Sequence, residues 1–329
     1  MWENMPALKA ELELFEQEML GQFRSHKGVN SYLDKLSVEL INSGGKRLRP
    51  AMTIASSMMG EYHREKVIST AISIELLHTA TLVHDDIIDN SPLRRNLPTV
   101  YAREGVNTAV FTGDYLYVKS ILALASAGLP VDYMKQLARA IEEVCVGEVE
   151  QFRGRGKVPG FKTYLSRISR KTAALFMASC AAGAHLGGLS EDQVKLAARF
   201  GGYYGIAFQI KDDLLDIMES ADTTGKPAGN DLKEGVITLP VILAAMVDSS
   251  VMSKLEDVLS VPGGKKVSKR EMMQLISLIR ETEGIEKTQS VLTKYIARAG
   301  RILDRLPESP GRDMLGELLD MGFRGYAIK

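Results

Sequence analysis

The chain has few of the residues that mark disulfide-stabilised or nucleic-acid-binding proteins. Only two of its 329 residues are cysteine. Cys145 and Cys180 both lie in apolar helical segments, and the usual redox rule predicts two buried thiols in a reducing compartment. Lysine plus arginine and aspartate plus glutamate both number 41, so the net charge is zero. This balance argues against a nucleic-acid partner, which a strongly basic domain would indicate. Anionic ligands would need positive charge that is gathered locally.

Long apolar runs are also missing. The longest, residues 173–189, is rich in alanine and glycine and contains His185, so it is a poor bilayer span. We expect its small residues to let two helices approach closely in the core. The N-terminal segment 1–19 is acidic and amphipathic and predicts no signal peptide. With 45% hydrophobic and 25% charged residues, the composition is that of a soluble globular protein, which we expect to be cytoplasmic.

Apolar residues recur every three or four positions almost throughout, and convincing alternation with a period of two is absent. This pattern predicts an all-α fold, and the lack of repeats and linkers predicts a single domain over residues 1–329. The segment 64–89 is apolar on most of its circumference and should be an enclosed helix. The predicted helices cover residues 3–26, 30–42, 48–60, 64–89, 106–127, 131–152, 161–186, 191–220, 236–247, 252–260, 268–281, 284–305 and 309–325.

Two clusters of acids end apolar helices. Asp85 and Asp89 lie one helical turn apart, and Asp86 is displaced by about 100°. Carboxylates at a helix C-terminus repel each other, are unfavourable with the helix dipole and are costly to bury. Divalent cations would remove these penalties, and Mg²⁺ favours one or two carboxylates plus substrate phosphates. A single cluster is more often structural, but a second with the same spacing predicts a multi-metal site between facing helices. The second cluster consists of Asp212, Asp213 and Asp216.

Basic residues that could bind anions lie near both clusters. Residues 43–50 place three cations beside a glycine pair just before a predicted helix, where backbone amides and Lys or Arg side chains can contact a phosphate. Basic turns are frequent, so this segment alone is weak support. Six aspartates would be neutralised by about three Mg²⁺ ions, and the cations could match two diphosphates. The further cations are Arg94, Arg95, Lys171 and Lys226.

Together these motifs closely resemble the trans-isoprenyl diphosphate synthases. The resemblance includes both aspartate-rich motifs, the segment Gly-Gly-Lys-x-x-Arg at 44–49, the pair Arg94-Arg95, the Gly-Glu-x-x-Gln at 147–151 and the pair Lys171-Thr172. Gln209 precedes the second motif, and residues 225–232 are similar to the family's flexible loop. The resemblance implies the all-α isoprenoid-synthase bundle around a deep apolar cavity, usually as a homodimer. It also implies Mg²⁺ as cofactor, for which Mn²⁺ can substitute.

The resemblance also implies a role for each matched residue. Lys46, Arg49, His78 and Arg95 would bind isopentenyl diphosphate. The allylic diphosphate would be held by Mg²⁺ and by Arg94, Lys171 and Lys226. The metal ligands would be principally Asp85, Asp89 and Asp212, supported by Asp86, Asp213 and Asp216. The oxygen dipoles of Thr172 and Gln209 would stabilise the developing allylic cation.

Two positions depart from the family's pattern. Asn96 follows Arg95 where a glycine is frequent, and Val236 stands where the family often has a lysine. That lysine normally adds to the phosphate clamp, so the departure predicts weaker substrate affinity or lid closure. Neither change affects the predicted metal ligands.

The expected reaction adds isopentenyl diphosphate units to an allylic diphosphate and gives a long-chain, octaprenyl-like all-trans product. A shorter farnesyl or geranylgeranyl product is the alternative. The prediction of length rests on Ala80 and Thr81, which lie about one helical turn before Asp85, where short-chain members typically have an aromatic residue. Their small side chains predict a cavity floor that lies deeper, at residues such as Tyr115, Leu116 or Lys119. The alternative interpretation is that Ala80 and Thr81 only pack against a neighbouring helix.

Three other functions compete with this prediction. A terpene cyclase or a head-to-head condensing enzyme could share the fold and the first acid cluster. A cyclase needs no second diphosphate site, so the intact segment 44–49 argues against it. A regulatory subunit of a two-chain synthase typically lacks some aspartates, whereas all six are present here. A metal-dependent phosphohydrolase would need a base that activates water, and none is evident in the sequence.

Overall fold

The computed structural model describes residues 2–23, 29–218, 229–259 and 268–326. Within these ranges the regular structure is almost entirely helical, as predicted. A two-residue hairpin, β1 (Leu93–Arg94) and β2 (Leu97–Pro98), pairs Leu93 with Pro98. The helices are α1 (Pro6–Gly21), α2 (Val29–Asn42), α3 (Leu48–Ser57), α4 (Arg64–Ile88), α5 (Val100–Ser126), α6 (Val131–Arg153), α7 (Phe161–Ile168), α8 (Ala174–Leu186), α9 (Glu191–Met218), α10 (Asn230–Lys233), α11 (Leu239–Val247), α12 (Ser249–Leu259), α13 (Lys269–Arg280), α14 (Gly284–Leu303) and α15 (Pro310–Gly322).

The chain forms two compact units. The first unit consists of Met1–Arg139, Leu175–Gly201 and Ile302–Leu318. The second unit consists of Ala140–Ala174, Gly202–Arg301 and Leu319–Lys329. The expectation of a single domain stays a prediction.

Helix α4 is the enclosed helix of the first unit. It packs against α1, α3 and α5, and its apolar residues are buried around most of its circumference, as its sequence predicted. It is long and apolar enough to cross a membrane, but 72% of its most apolar window is buried inside the protein, as in a core helix. The expected close approach of small residues is also confirmed in this unit. A Cβ added to Gly183 of α8 would lie 2.1 Å from the carbonyl oxygen of Thr53 in α3.

The second unit contains a π-helical turn, Ser169–Ala173, between α7 and α8. Single π turns inside helices occur often at functional sites, because the extra residue redirects the following side chains. In this unit α11 packs against α7, α12 and α13.

Local structure differs from the sequence-based expectation in several places. The hairpin was not predicted, because two-residue strands are too short to show a period. Helix α5 begins at Val100 rather than at residue 106, with the Thr99 hydroxyl accepting the Ala102 N–H. A break at Gly105, where φ is 83°, separates this first turn from the rest of the helix. The predicted burial of Cys145 is wrong. Its position on α6 faces outward and the residue is exposed, whereas Cys180 is buried.

Candidate active site

The first acid cluster lies at the C-terminus of α4, in the first unit. Asp85 and Asp86 belong to its last turn, and Asp89 is its C-cap. Asp86 is only 3% exposed, and its Oδ1 accepts hydrogen bonds of 2.9 Å from the Arg94 guanidinium. Asp85 and Asp89 are half-buried. The middle acid is therefore bound by the protein itself, while the acids on either side are more accessible to a ligand.

Positive charge converges beside this cluster. The pKa of His78 lies well below its usual value. The causes are burial and then the positive charges of Arg49, Arg94, Arg95 and Arg47. Four guanidinium groups beside a neutral imidazole favour the binding of an anion. Two of them already pair with acids of the protein, Arg94 with Asp86 and Arg47 with Glu75. A narrow cleft is lined by Gly44, His78, Asp86, Arg94 and Arg95.

The turn before α3 is shaped by two arginines. Arg47 adopts a left-handed conformation with φ 48°, is 8% exposed, and donates to Glu75 at 3.0 Å and to the carbonyl of Ile41 at 2.7 Å. Gly45 makes room for both guanidinium groups, since an added Cβ would lie 3.3 Å from Arg47 Nη1 and 3.2 Å from Arg95 Nη2. Arg47 is one of the three cations noted in the sequence, but its pairing with Glu75, which anchors the turn, was not predicted.

The flanking cations of this segment have different environments. Lys46 is exposed. The Arg49 guanidinium carbon lies 4.5 Å from the centroid of the Phe176 ring, a distance at which cation and ring attract. The predicted isopentenyl diphosphate residues Arg49, His78 and Arg95 thus lie near one another in the first unit, and their substrate roles stay predictions.

The second acid cluster lies near the C-terminus of α9, in the second unit. Asp212 is exposed, whereas Asp213 is 2% exposed. Asp216 is half-buried and accepts the backbone N–H groups of Asn230 at 3.0 Å and Asp231 at 3.3 Å. It therefore caps the short helix α10, where backbone N–H groups would otherwise lack acceptors. Asp231 was not identified from the sequence; burial and then Asp216, Asp213 and Glu234 raise the pKa of its carboxyl group.

The π turn positions the predicted Lys171-Thr172 pair. Lys171 Nζ donates to Glu148 Oε2 at 2.8 Å. Gly147 lets α6 approach this turn, because a Cβ there would lie only 2.7 Å from the backbone nitrogen of Lys171. The Gly-Glu pair of the motif at 147–151 therefore has a direct structural explanation.

Four side chains of the second unit form a continuous series of hydrogen bonds. Thr172 Oγ1 donates to Gln209 Oε1 at 2.7 Å, and Gln209 Nε2 donates to Asp213 Oδ1 at 2.9 Å. Tyr164, which is fully buried, donates its hydroxyl proton to Asp213 Oδ2 at 2.6 Å. The role of Tyr164 in the site was not predicted from the sequence, because a tyrosine on an apolar helix usually indicates core packing. The available signal was its spacing of seven residues, about two helical turns, before Lys171.

The remaining predicted residues lie in varied environments. Ala80 is 2% exposed, and the half-buried Thr81 donates its hydroxyl to the carbonyl of His78 at 2.8 Å. Val236 is 5% exposed. Lys226 lies outside the described residues.

The acids suit a hard divalent cation that is shared with a ligand. Among the described residues, no group of three or more His, Cys, Asp and Glu side chains could hold a metal ion. Mg²⁺, however, is usually bound by one or two carboxylates, with water and substrate phosphates as the other ligands. Asp85 and Asp89 in the first unit, and Asp212 in the second, provide carboxylates of this kind, so each cluster by itself fits such an ion.

The helical fold, the two acid clusters and the neighbouring cations define a class of enzyme that acts on diphosphate esters. The polyprenyl synthetase family model matches residues 30–277. Component 2 of heptaprenyl diphosphate synthase from Geobacillus stearothermophilus is 39% identical, and the match covers 97% of each chain. Other relatives are named nonaprenyl and geranylgeranyl diphosphate synthases.

Solved structures give the same result. Heptaprenyl diphosphate synthase from Staphylococcus aureus superposes with a TM-score of 0.89 at 32% identity, covering 96% of this chain and 98% of that chain. A polyprenyl synthase from Caulobacter crescentus, complexed with calcium and isoprenyl diphosphate, has a TM-score of 0.87 at 29% identity, covering 96% and 95%. The chain belongs to the polyprenyl synthetase family and is a trans-polyprenyl diphosphate synthase, a prenyltransferase.

Proposed function

We propose that this prenyltransferase is Mg²⁺-dependent and condenses isopentenyl diphosphate with an allylic diphosphate to give a long-chain, octaprenyl-like all-trans product. The observation that carries the proposal is the cleft where Arg94 and Arg95 lie beside His78 and the acid cluster at the end of α4. Such a site suits an anion that arrives with a divalent cation. The Caulobacter relative binds calcium and isoprenyl diphosphate, which supports this interpretation.

Each predicted residue has a part in binding. Asp85, Asp89 and Asp212 are the principal ligands of about three Mg²⁺ ions, with Mn²⁺ as a substitute. The isopentenyl diphosphate is bound by Lys46, Arg49, His78 and Arg95. The allylic diphosphate is bound by Arg94, Lys171 and Lys226. Asp86, Asp213 and Asp216 support the metal ligands.

The reaction forms one carbon–carbon bond. Divalent ions held by the aspartates would withdraw charge from the diphosphate leaving group. Arg94 and Lys171 add positive charge to the same group, so the allylic C–O bond breaks and the diphosphate leaves with the bonding electrons. The oxygens of Thr172 and Gln209 face the resulting allylic cation. The double bond of isopentenyl diphosphate attacks this cation, and a proton is then lost to the released diphosphate, which restores a neutral hydrocarbon chain.

The active form is proposed to be a cytoplasmic homodimer. Helix α5 of the first unit carries large apolar side chains that are unusually exposed: Phe111 is 63%, Leu122 56% and Val118 51% exposed. Contiguous exposed apolar surface commonly marks a protein interface. A different partner subunit is the second candidate, because the Geobacillus relative is named component 2 of its synthase. Light scattering of the purified chain would measure its mass in solution.

The test is to incubate the pure protein with labelled isopentenyl diphosphate and an allylic primer and to measure the length of the lipids. Elongation that requires Mg²⁺ or Mn²⁺ is expected. A cyclised or merely hydrolysed primer would reject the proposal. No product from the pure chain, followed by product when a second subunit is added, would favour the two-component alternative.

A further inference from the structure

The two neighbouring acids of the second cluster have opposite environments. Asp212 is exposed, but Asp213 is buried and both of its carboxylate oxygens already accept hydrogen bonds. Oδ2 accepts from Tyr164 at 2.6 Å and Oδ1 accepts from Gln209 at 2.9 Å. A metal ion at Asp213 would have to displace donors that are themselves buried. A buried hydroxyl that loses its acceptor is destabilising, so Asp213 is a poor metal ligand.

The same hydrogen bonds determine the orientation of the amide group of Gln209. The Gln209 NH₂ group donates to Asp213 Oδ1, so the amide oxygen is turned toward Thr172. The Thr172 hydroxyl then donates its single proton to Gln209 at 2.7 Å. The lone pairs of the threonine oxygen therefore point away from the amide. The hydrogen-bond directions of Gln209 and of Thr172 are therefore both fixed by the contact with Asp213.

We propose that Asp213 and Tyr164 are positioning residues that fix the Gln209 amide, and through it the Thr172 hydroxyl, rather than ligands of a metal ion. The inference rests on the proposed function, because it takes Gln209 and Thr172 as the groups whose oxygens face the allylic cation. Dipoles that are already oriented stabilise developing charge without reorganisation during the reaction. A rotated Gln209 amide would instead present its N–H groups, the positive end of the dipole, to the allylic cation.

Two conservative variants test the positioning role. Tyr164→Phe removes only the hydroxyl group, and Asp213→Asn permits the amide of Gln209 to rotate. Each should lower kcat about 10- to 100-fold, the usual effect of losing a partner that orients a reactive group. The KM for the allylic diphosphate and the Mg²⁺ concentration for half-maximal activity should not change. Because the two residues act through one amide, the double variant should lose less than the product of the two single losses.

Two further variants serve as matched comparisons. Tyr62→Phe removes another tyrosine–carboxylate hydrogen bond of 2.6 Å, to Glu11 in the first unit, and should leave kcat unchanged. Asp212→Asn alters the exposed neighbour and should raise the Mg²⁺ requirement. Calorimetric titration with Mn²⁺ and inorganic diphosphate gives a readout that does not depend on turnover. Asp213→Asn should bind Mn²⁺ as the wild type does, and Asp212→Asn should bind it more weakly.

The outcomes separate this inference from the proposed function. Weaker Mn²⁺ binding by Asp213→Asn, or a wild-type kcat in Tyr164→Phe, would overturn the positioning role. If Asp213→Asn fails to fold, as a melting curve would show, Tyr164→Phe still decides the question. If the wild type forms no prenyl product, the proposed function fails, and the Mn²⁺ titration still shows whether Asp213 is a ligand.

Discussion

The middle aspartate of each acid cluster differs from the acids that flank it. Asp86 is held by Arg94, and Asp213 is held by Tyr164 and Gln209, and both are almost fully buried. A helix turns about 100° per residue, so adjacent acids necessarily face different surroundings. The i, i+1, i+4 spacing therefore places the middle acid toward the protein interior, whereas the outer acids are half-buried or exposed.

The outer acids should dominate metal-dependent activity. Asp85→Ala or Asp212→Ala should lower turnover at least ~10²-fold, the scale of losing a main electrostatic stabiliser. A chelator should abolish turnover in the wild type. Asp192→Ala, at an acid whose side chain is 93% exposed on the first turn of α9, is the control and should keep full activity. Full turnover in chelator would contradict a metal-dependent mechanism.

Val236 occupies the position where the family often has a lysine. The nearby Asp231 carboxyl group, whose pKa is raised by burial and by neighbouring acids, indicates local negative charge that a cation would relieve. Val236→Lys should therefore lower a substrate KM or raise turnover, as steady-state kinetics would measure. Because Val236 is 5% exposed, Val236→Met controls for the added volume without charge. An unchanged or worse lysine variant, with the methionine variant unaffected, would mean that another residue already fills the role.

The charged residues of the candidate site could be predicted from the sequence because charge and one-turn spacing are directly visible there. The role of Tyr164 and the ion pair between Arg47 and Glu75 could not, since a buried tyrosine or an internal ion pair has no spacing that separates it from core or surface residues. Their roles depend on which helix packs beside them. Long-range packing of this kind is not encoded in any local pattern.

Among the secondary-structure elements, the long periodic helices were predicted well and the short irregular ones were not. Helix α4 agrees with the expected segment 64–89 to within a residue. The predicted helix 161–186 is interrupted by the π turn at Ser169–Ala173. The apolar period barely changes across one extra residue, so the sequence pattern could not reveal the turn. The helix α10 at Asn230–Lys233 is too short for any period to appear.

The close approach of α6 to the π turn can be tested with one methyl group. In Gly147→Ala the added Cβ would lie 2.7 Å from the Lys171 nitrogen, so the backbone must shift. Overpacking of this kind usually costs about 1–3 kcal/mol of the free energy of unfolding, and turnover should fall with it. Gly300→Ala adds the same methyl group to α14 in open space and should be neutral or stabilising. Equal melting temperatures for the two variants would contradict a tight α6 contact.

At the scale of the whole molecule, the length of the product must be matched by apolar space within the protein. One helical turn rises about 5.4 Å, close to one isoprene unit. Ala80 and Thr81, one turn before Asp85, have small side chains at the positions where an aromatic residue would close the cavity of short-chain relatives. In the first unit α4 packs against α5, where Leu116 is fully buried. Tyr115 donates to Asp34 at 2.7 Å, and Lys119 to the carbonyl of Gln22 at 2.6 Å, so both are anchored by polar contacts.

We therefore predict products longer than geranylgeranyl, in the hexaprenyl-to-decaprenyl range. Thr81→Tyr should shorten them by closing the path with an aromatic ring, and Ala80→Phe should do the same, although its 2% exposure makes overpacking a larger cost there. Thr81→Val keeps the volume and removes only the hydroxyl, so its products should match those of the wild type. Chromatographic sizing of the labelled lipids gives the answer. A wild type that stops at farnesyl or geranylgeranyl, or an aromatic variant that still makes the long product, would show that Ala80 and Thr81 merely pack against a neighbouring helix.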